Sequence, residues 1–221
     1  MDVIEALKKR KSTRAFLDKA VDSDLIRKVL EAASHAPSGA NIQPWQVAVV
    51  SGEKKNKIQQ KLEQAFCNGK KTQMDYQYYP LDWRQPYKDR RIATGLQLYS
   101  ALDITREDKQ KRQAQWAANY RAFDAPVVMY IFMEDIMQKG AFLDCGLFIQ
   151  SLMLAAVDLG LATCPQAALA EYPAIVKDEL GFASSSILVC GIALGYEDKT
   201  AAVNSYRTPR EDVSSFTRIF Y

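Results

Sequence analysis

The chemistry open to this 221-residue chain is limited by what it lacks. His35 is the only histidine, so any Ser-His-Asp or Cys-His machinery would have to be built on it. It sits just before Ala36 and Pro37 at a predicted helix end, the place of a C-terminal cap. Cys67, Cys145, Cys164 and Cys190 are far apart with no CxxC pair, which argues against a zinc site and a dithiol centre. The carboxylates form no ligand pattern, so no metal is expected. Among ten glycines there is neither GxGxxG nor GxxxxGK[ST]. Gly191 and Gly195 have GxxxG spacing, on and just after a predicted strand, which reads as close backbone packing. An enzyme with this inventory would borrow its reactivity from a bound cofactor.

Three polar islands remain: "RKSTR" at 10–14, "PSGANIQPW" at 37–45 and "YRTPR" at 206–210. Arg10, Arg207 and Arg210 could converge on a phosphate, since guanidinium forks match phosphate oxygens and Ser12 adds a hydroxyl. The plain alternative is that basic residues ending a helix complement its dipole and tail arginines are solvated. Ser38, Gly39, Asn41, Gln43 and Trp45 stand directly before a run that reads as a strand, where an ordinary turn would have served.

The elements that must position these islands follow from periodicity. Helices are predicted over "DVIEALKKRKS" and "SDLIRKVLEAASHAP", the second with Ser23 as N-cap and Pro37 as stop. "QVAVVS", 46–51, is a strand, and "EKKNKIQQKLEQAF" a charged, solvent-facing helix. From about 67 to 118 the composition turns aromatic, basic and proline-punctuated; this is an inserted lid, with helices near 91–102 and 107–119. "APVVMYIFM" and "SSILVCGIALGY" are buried strands, and "FLDCGLFIQSLMLAAVDLGL" is a long buried helix between them. Its apolar run, bracketed by Asp144 and Asp158, spans thirteen residues, or about 20 Å against the ~30 Å of a bilayer core. No membrane partner is therefore expected. A formal charge of +3 does not call for nucleic acid either. Asp75, Asp82, Asp89, Asp103, Glu107 and Asp108 interrupt the cations of the lid, which leaves little track for a single-stranded nucleic-acid binder. Separated thiols and a charged N-terminal segment point to the cytoplasm. The tail ends in Phe216, Ile219 and Phe220, which need something to pack on, such as a second subunit.

The order of five segments gives a further reading. "RKSTRAF", "ASHAPSGANIQPWQVAVV", "FDAPVVMYIF", "DCGLFIQSLMLAAVDLGLATCPQAAL" and "GYEDKTAAVNSYRTPRED" together resemble the FMN-dependent nitroreductase family over nearly the whole chain. The resemblance implies an α+β fold, an α/β/α sandwich around a mostly antiparallel sheet. It implies one domain, 1–221, with a C-terminal extension of about 200–221 swapped onto a partner. It also implies an intertwined homodimer with FMN in the subunit interface.

By that resemblance Arg10, Ser12, Arg207 and Arg210 clamp the FMN phosphate and ribityl chain, Arg14 reaches toward the ring, and Lys11 contributes through its backbone. Pro37, Ser38, Gly39, Asn41 and Gln43 are the segment that the other subunit lays against the flavin, with amides and a hydroxyl for a polar ring edge and Gly39 for close approach. Pro165, Gln166, Ala167 and Ala168, in "CPQAAL", form a loop over the opposite face, with the backbone N–H of Ala167 aimed at N5. Asn119 and Arg121 stand at the pyrimidine edge, where a cation stabilises the reduced ring. Many members carry a Lys in the C-terminal island and a Glu in the loop, where this chain has Tyr206 and Arg207, and Gln166 and Ala167.

The implied reaction is ping-pong: NADH or NADPH reduces the flavin and leaves, and an electron-poor small molecule, a nitroaromatic or quinone, is reduced in its place. The isoalloxazine performs the redox step, so no side chain is assigned as catalytic. Tyr76, Tyr79 and Trp83, with Tyr78 and Tyr87 nearby, are candidates for a substrate-stacking wall or for a small core of the lid itself. The rival on the same fold is a reductive dehalogenase of halotyrosines, whose lid holds a Glu, Tyr and Lys trio that is not evident here. A flavin-binding sensor without turnover is the non-enzymatic alternative.

Overall fold

A computed structural model describes residues 1–221. Helix α1 (Val3–Lys9) starts at Asp2, whose carboxylate accepts the Glu5 N–H. Helix α2 (Ser23–Ser34) is capped by Asp22, which accepts the Asp24 N–H at 2.8 Å, one residue before the expected Ser23. His35 ends α2, as expected, with its backbone N–H directed at Ala32 O and Ala33 O. Then follow β1 (Gln46–Ser51), α3 (Gly52–Cys67), α4 (Tyr87–Ala101), α5 (Lys109–Ala117), β2 (Val127–Met133), α6 (Lys139–Asp158), β3 (Ala162–Gln166), α7 (Pro173–Leu180) and β4 (Ile187–Gly195).

The four strands form one sheet in the order β1-β2-β4-β3, every neighbouring pair antiparallel. Side chains alternate across a strand, and β2 uses both faces. Val128, Tyr130 and Phe132 join Ile58 and Leu62 of α3 and Val176 of α7. Val127, Met129, Ile131 and Met133 join Val29 and Ala33 of α2 and Cys145, Phe148 and Leu152 of α6. Helices on both faces make the α/β/α sandwich and explain why "VVMYIFM" is continuously apolar although the sheet is antiparallel: all seven residues are buried.

Helix α3 departs from its solvent-facing expectation. Lys54, Lys57 and Lys61 face outward, but Lys55 is half-buried with its ammonium on Ala125 O (2.8 Å), and Ile58, Gln59, Leu62 and Ala65 are buried in the core. Helix α6 is one-sided in the protomer: Cys145, Phe148 and Leu152 are buried, whereas Leu143 and Leu147 on the other flank are 69% and 39% exposed. It is long and apolar enough to cross a membrane by length and composition, but its packed flank is committed to α2 and the sheet.

Residues 67–118, expected as a lid, are tied down near their start. The Asp75 carboxylate accepts from Lys177 Nζ (2.7 Å) and from the Leu188 N–H (2.8 Å), and Tyr76 donates its hydroxyl to Val189 O (2.7 Å). The lid helices begin and end differently from expectation, α4 at Tyr87 and α5 at Ala117.

Candidate functional site

Two of the three islands meet in one cleft. Residues 10–14 leave α1 and run beside β3, with a bridge between Ser12 and Thr163 and the Thr13 N–H on Thr163 O at 2.9 Å. The tail returns alongside them, fastened by Asn204, a buried residue. Its side chain accepts the Arg14 N–H (2.8 Å) and donates to Ala15 O and Asp198 O. The resulting cavity of about 500 Å³ is lined by Lys8, Arg10, Lys11, Ser12, Arg14, Tyr206, Arg207, Thr208 and Arg210, with Ile4 and Leu7. No carboxylate lines it.

These cations are not equivalent. The Lys11 ammonium is spent on Glu197 (2.6 Å) and Asn204 O (2.6 Å), which leaves only its backbone for a ligand. Arg207 donates to the carbonyls of Lys8 and Lys9 at the end of α1, so the dipole-complementing role and the cleft-lining role belong to the same residue. Arg210 reaches Thr208 and Pro209 O, and Arg14 Nη1 lies 3.4 Å from Ser12 O. Arg10 has neither ion pair nor side-chain hydrogen bond, and it is half withdrawn from solvent. Its pKa is pushed down by burial first and then by the charges of Arg210 and Arg207. Three guanidiniums held together without an anion call for one.

Beside the cleft lies the end of β3. The segment expected as a loop begins as strand: Cys164, Pro165 and Gln166 pair with β4, and a 3₁₀ turn, Ala167–Ala170, follows. Ala167 opens that turn, so its N–H lies outside the turn's own bonding pattern. Gln166 and Asn119 are brought together, with Gln166 Nε2 donating to Asn119 O at 3.0 Å. Gln166 Oε1, Thr163 Oγ1 and the Tyr206 hydroxyl are buried without partners. An anion at Arg10 and a polar ring at Gln166 would supply what the Tyr206 hydroxyl and Gln166 Oε1 lack, so the residues fit FMN. The turn is set by glycine, as the GxxxG spacing suggested. A Cβ on Gly191 would stand 2.5 Å from Leu169 Cδ1, and one on Gly195 would stand 2.6 Å from Pro126 Cδ.

The other expected residues are placed differently. Arg121, expected at a pyrimidine edge, pairs with Glu63 and, at 3.1 Å, with Asp124. Ala122, Phe123 and Asp124, which follow it, all have left-handed backbone. The 37–43 island lies outside this cleft and Gly39–Gln43 are exposed. It is nevertheless held in shape: Gly39 N–H donates to the buried Asp144 (3.2 Å), Gln43 N–H donates to Ser38 Oγ (3.0 Å), and Trp45 stacks on Phe148 with ring centres 4.7 Å apart. Ala40, Asn41 and Gln43 have φ of 47°, 57° and 48°, a strained backbone for non-glycine residues. A Cβ on Gly39 would meet only Asp144, at 3.9 Å, so nothing within the protomer demands glycine there. Among the lid aromatics, Tyr76 is an anchor, with its hydroxyl on Val189 and its ring 4.6 Å from Phe142. Tyr79 and Trp83, 5.7 Å apart, remain partly exposed.

Thiol chemistry has no foothold here. Burial raises the Cys164 and Cys145 thiols to about 11 and the Cys190 thiol to about 12. Sequence reasoning missed Asn204, Asp144 and Thr163, which hold the islands rather than face the cleft. Asp144 and Thr163 signal themselves only as polar residues among apolar ones, and Asn204, followed by Ser205, Tyr206 and Arg207, not even so.

The sequence model described as the nitroreductase family matches residues 7–196. The chain is 35% identical to a 4-nitrobenzoate reductase of Pseudomonas putida, covering 94% of this chain and 91% of that one. It is 37% identical to nitroreductase NfnB of Mycolicibacterium smegmatis, covering 96% and 90%. The crystal structure of the FMN- and NADPH-dependent nitroreductase NfnB from Sphigopyxis sp. strain HMH superimposes over all of both chains, with a TM-score of 0.97 at 39% identity. The chain belongs to the nitroreductase family.

Proposed function

We propose that this chain is an FMN-dependent NAD(P)H oxidoreductase that reduces nitroaromatics and similar electron-poor small molecules. The observation that carries the reading is the half-buried, unpartnered Arg10 facing Arg207 and Arg210 in a cleft without carboxylates. Bound FMN would accept a hydride from reduced nicotinamide and pass the electron pair to the acceptor. The protein's part is to hold and exclude. Arg10, Ser12, Arg207 and Arg210 hold the phosphate, while Arg14 and the backbone of Lys11 flank the chain beyond it. Pro165, Gln166, Ala167 and Ala168 cover the ring. Asn119 orients Gln166, and Arg121, through its pairs with Glu63 and Asp124, fixes the backbone beside Asn119. The lid keeps water from the ring.

The reading includes a homodimer in the cytoplasm. Val3, Ile4 and Leu7 of α1, Leu143 and Leu147 of α6, and Phe216, Ile219 and Phe220 of the tail are all exposed in the protomer. A helix that is apolar on every side is a buried helix, and a second copy supplies the cover. Pro37, Ser38, Gly39, Asn41 and Gln43 then serve the cleft of the partner subunit, which gives the strained loop a use and Gly39 a reason.

The test is the visible spectrum of the purified protein, its anaerobic bleaching by NADPH and by NADH, and reoxidation by 4-nitrobenzoate. A protein that is colourless and does not bind added FMN refutes the reading. Leu143→Glu should convert dimer to monomer in light scattering and release the flavin together with it. Flavin retained on a monomer refutes the shared site.

A further inference from the structure

Two guanidiniums of residues 67–118, Arg91 and Arg106, make no ion pair and no side-chain hydrogen bond, and of these Arg91 lies on an aromatic ring. Arg84 is near Asp82, and Arg90 pairs with Glu211 at 3.0 Å, which braces α4 against the tail. Arg112 donates to Arg106 O. Arg91 makes no ion pair and no side-chain hydrogen bond; its guanidinium lies over the ring of Trp83, 5.0 Å from the centre. Trp83 in turn faces Tyr79, which is 4.6 Å from Tyr78, so a half-exposed aromatic wall ends at an uncommitted cation. The charge reaches along the wall: burial raises the Tyr79 hydroxyl pKa and Arg91 pulls it back.

The helix that carries Arg91 runs on toward the cleft, reaching Leu96 and Gln97 within two turns. Leu96 and Gln97 of α4 share a cavity with Ser205 and Tyr206, and Tyr206 also lines the basic cleft. Given the function proposed above, on which this inference rests, acceptors enter beneath the lid. A ring lying on Tyr79 and Trp83 would place a substituent at its far end within reach of Arg91. A guanidinium over an indole is partly shielded on one face, while its edge stays open to a planar anion. We propose that Arg91 is a specificity-determining residue that selects acceptors carrying a carboxylate or comparable anion on the aromatic ring.

The experiment uses the FMN-loaded protein with saturating NADPH and compares kcat/KM for 4-nitrobenzoate with that for nitrobenzene. Arg91→Gln should lower the anionic-over-neutral ratio about fivefold, the scale of a solvent-exposed charge pair, chiefly through KM. Arg91→Lys should recover part of it. Lys88→Gln, which removes a charge from the same helix, should leave the ratio unchanged. In the unaltered protein the ratio should fall as salt rises, and Arg91→Gln should flatten that dependence. An unchanged ratio in Arg91→Gln, an equal loss on both acceptors, or the same shift in Lys88→Gln overturns the assignment while leaving the nitroreductase reading intact. Failure to reduce either acceptor overturns both.

Discussion

Replacing Gly191 by alanine tests how the Ala167–Ala170 turn, proposed above to cover the flavin ring, is held. Gly191 lies mid-strand in β4, opposite Tyr130 of β2 and Gln166 of β3. The added methyl would lie 2.5 Å from Leu169 Cδ1 and 2.7 Å from Leu169 Cβ, where carbon atoms rest at about 3.5–4.0 Å. Rotating Leu169 cannot relieve a clash with its own Cβ, so the Ala167–Ala170 turn must lift by about 1 Å. Overpacking of this kind costs about 1–3 kcal/mol. For a chain of this size that corresponds to a Tm lower by about 2–12 °C. Because the displaced turn begins next to Gln166, FMN should also dissociate faster. Gly195→Ala, which meets Pro126 at 2.6 Å and Phe16 at 3.0 Å, should cost similar stability but hold flavin better. Thermal unfolding with and without FMN, together with flavin fluorescence on dilution, separates the two effects. A Gly191→Ala protein whose Tm and flavin off-rate match the parent would refute the reasoning.

Arg10→Met should weaken FMN affinity at least about tenfold in a fluorescence titration, since hydrogen bonds to charged groups are worth about 1.5–3 kcal/mol. The flavin-free protein should be no less stable, because repulsion from Arg207 and Arg210 is relieved; an unchanged Kd refutes the clamp. Lys177→Met leaves Asp75 with only the Leu188 N–H and should cost up to about 3 kcal/mol in denaturant unfolding, the low end for a buried pair. Adding Asp75→Asn should recover part of that loss, and a double variant weaker than the single one would contradict the pairing. Glu179, held by Lys54, Lys57 and Lys61 of α3, titrates at about 2, below its unfolded value. Its contribution is therefore complete above about pH 5 and lost as pH falls toward 2. Acid unfolding of Glu179→Gln should show a shallower loss over that window, and identical acid curves would remove Glu179 from the account.

Much of this arrangement can be read from residues alone where local and global preferences agree. The apolar runs of β2, β4 and α6 are long enough to declare themselves, and the cationic islands stand out against a chain with one histidine. Other elements stay hidden for specific reasons. Pro165 disguises β3 as a loop, yet β3 is the edge strand of the sheet, where a missing N–H is tolerated. Helix α7 goes unread although it carries Pro173 at its first position and a left-handed Gly181 at its end; eight residues give too little periodicity. The buried face of α3 is masked by its lysines, and the pairing of Arg121 depends on Glu63, which is distant in sequence. The exposed 37–43 loop lies outside the cleft of its own chain, so contacts within one chain do not reveal what it serves.

The guanidinium of Arg207 lies on carbonyls of residues 8 and 9, which makes the basic cleft a junction between segments almost 200 residues apart. At about 5–20 residues per second, a ribosome delivers the second segment roughly 10–40 s after the first. During that interval Arg10 stands without Arg207 and Arg210, so the cleft they line is completed only in the closing moments of synthesis.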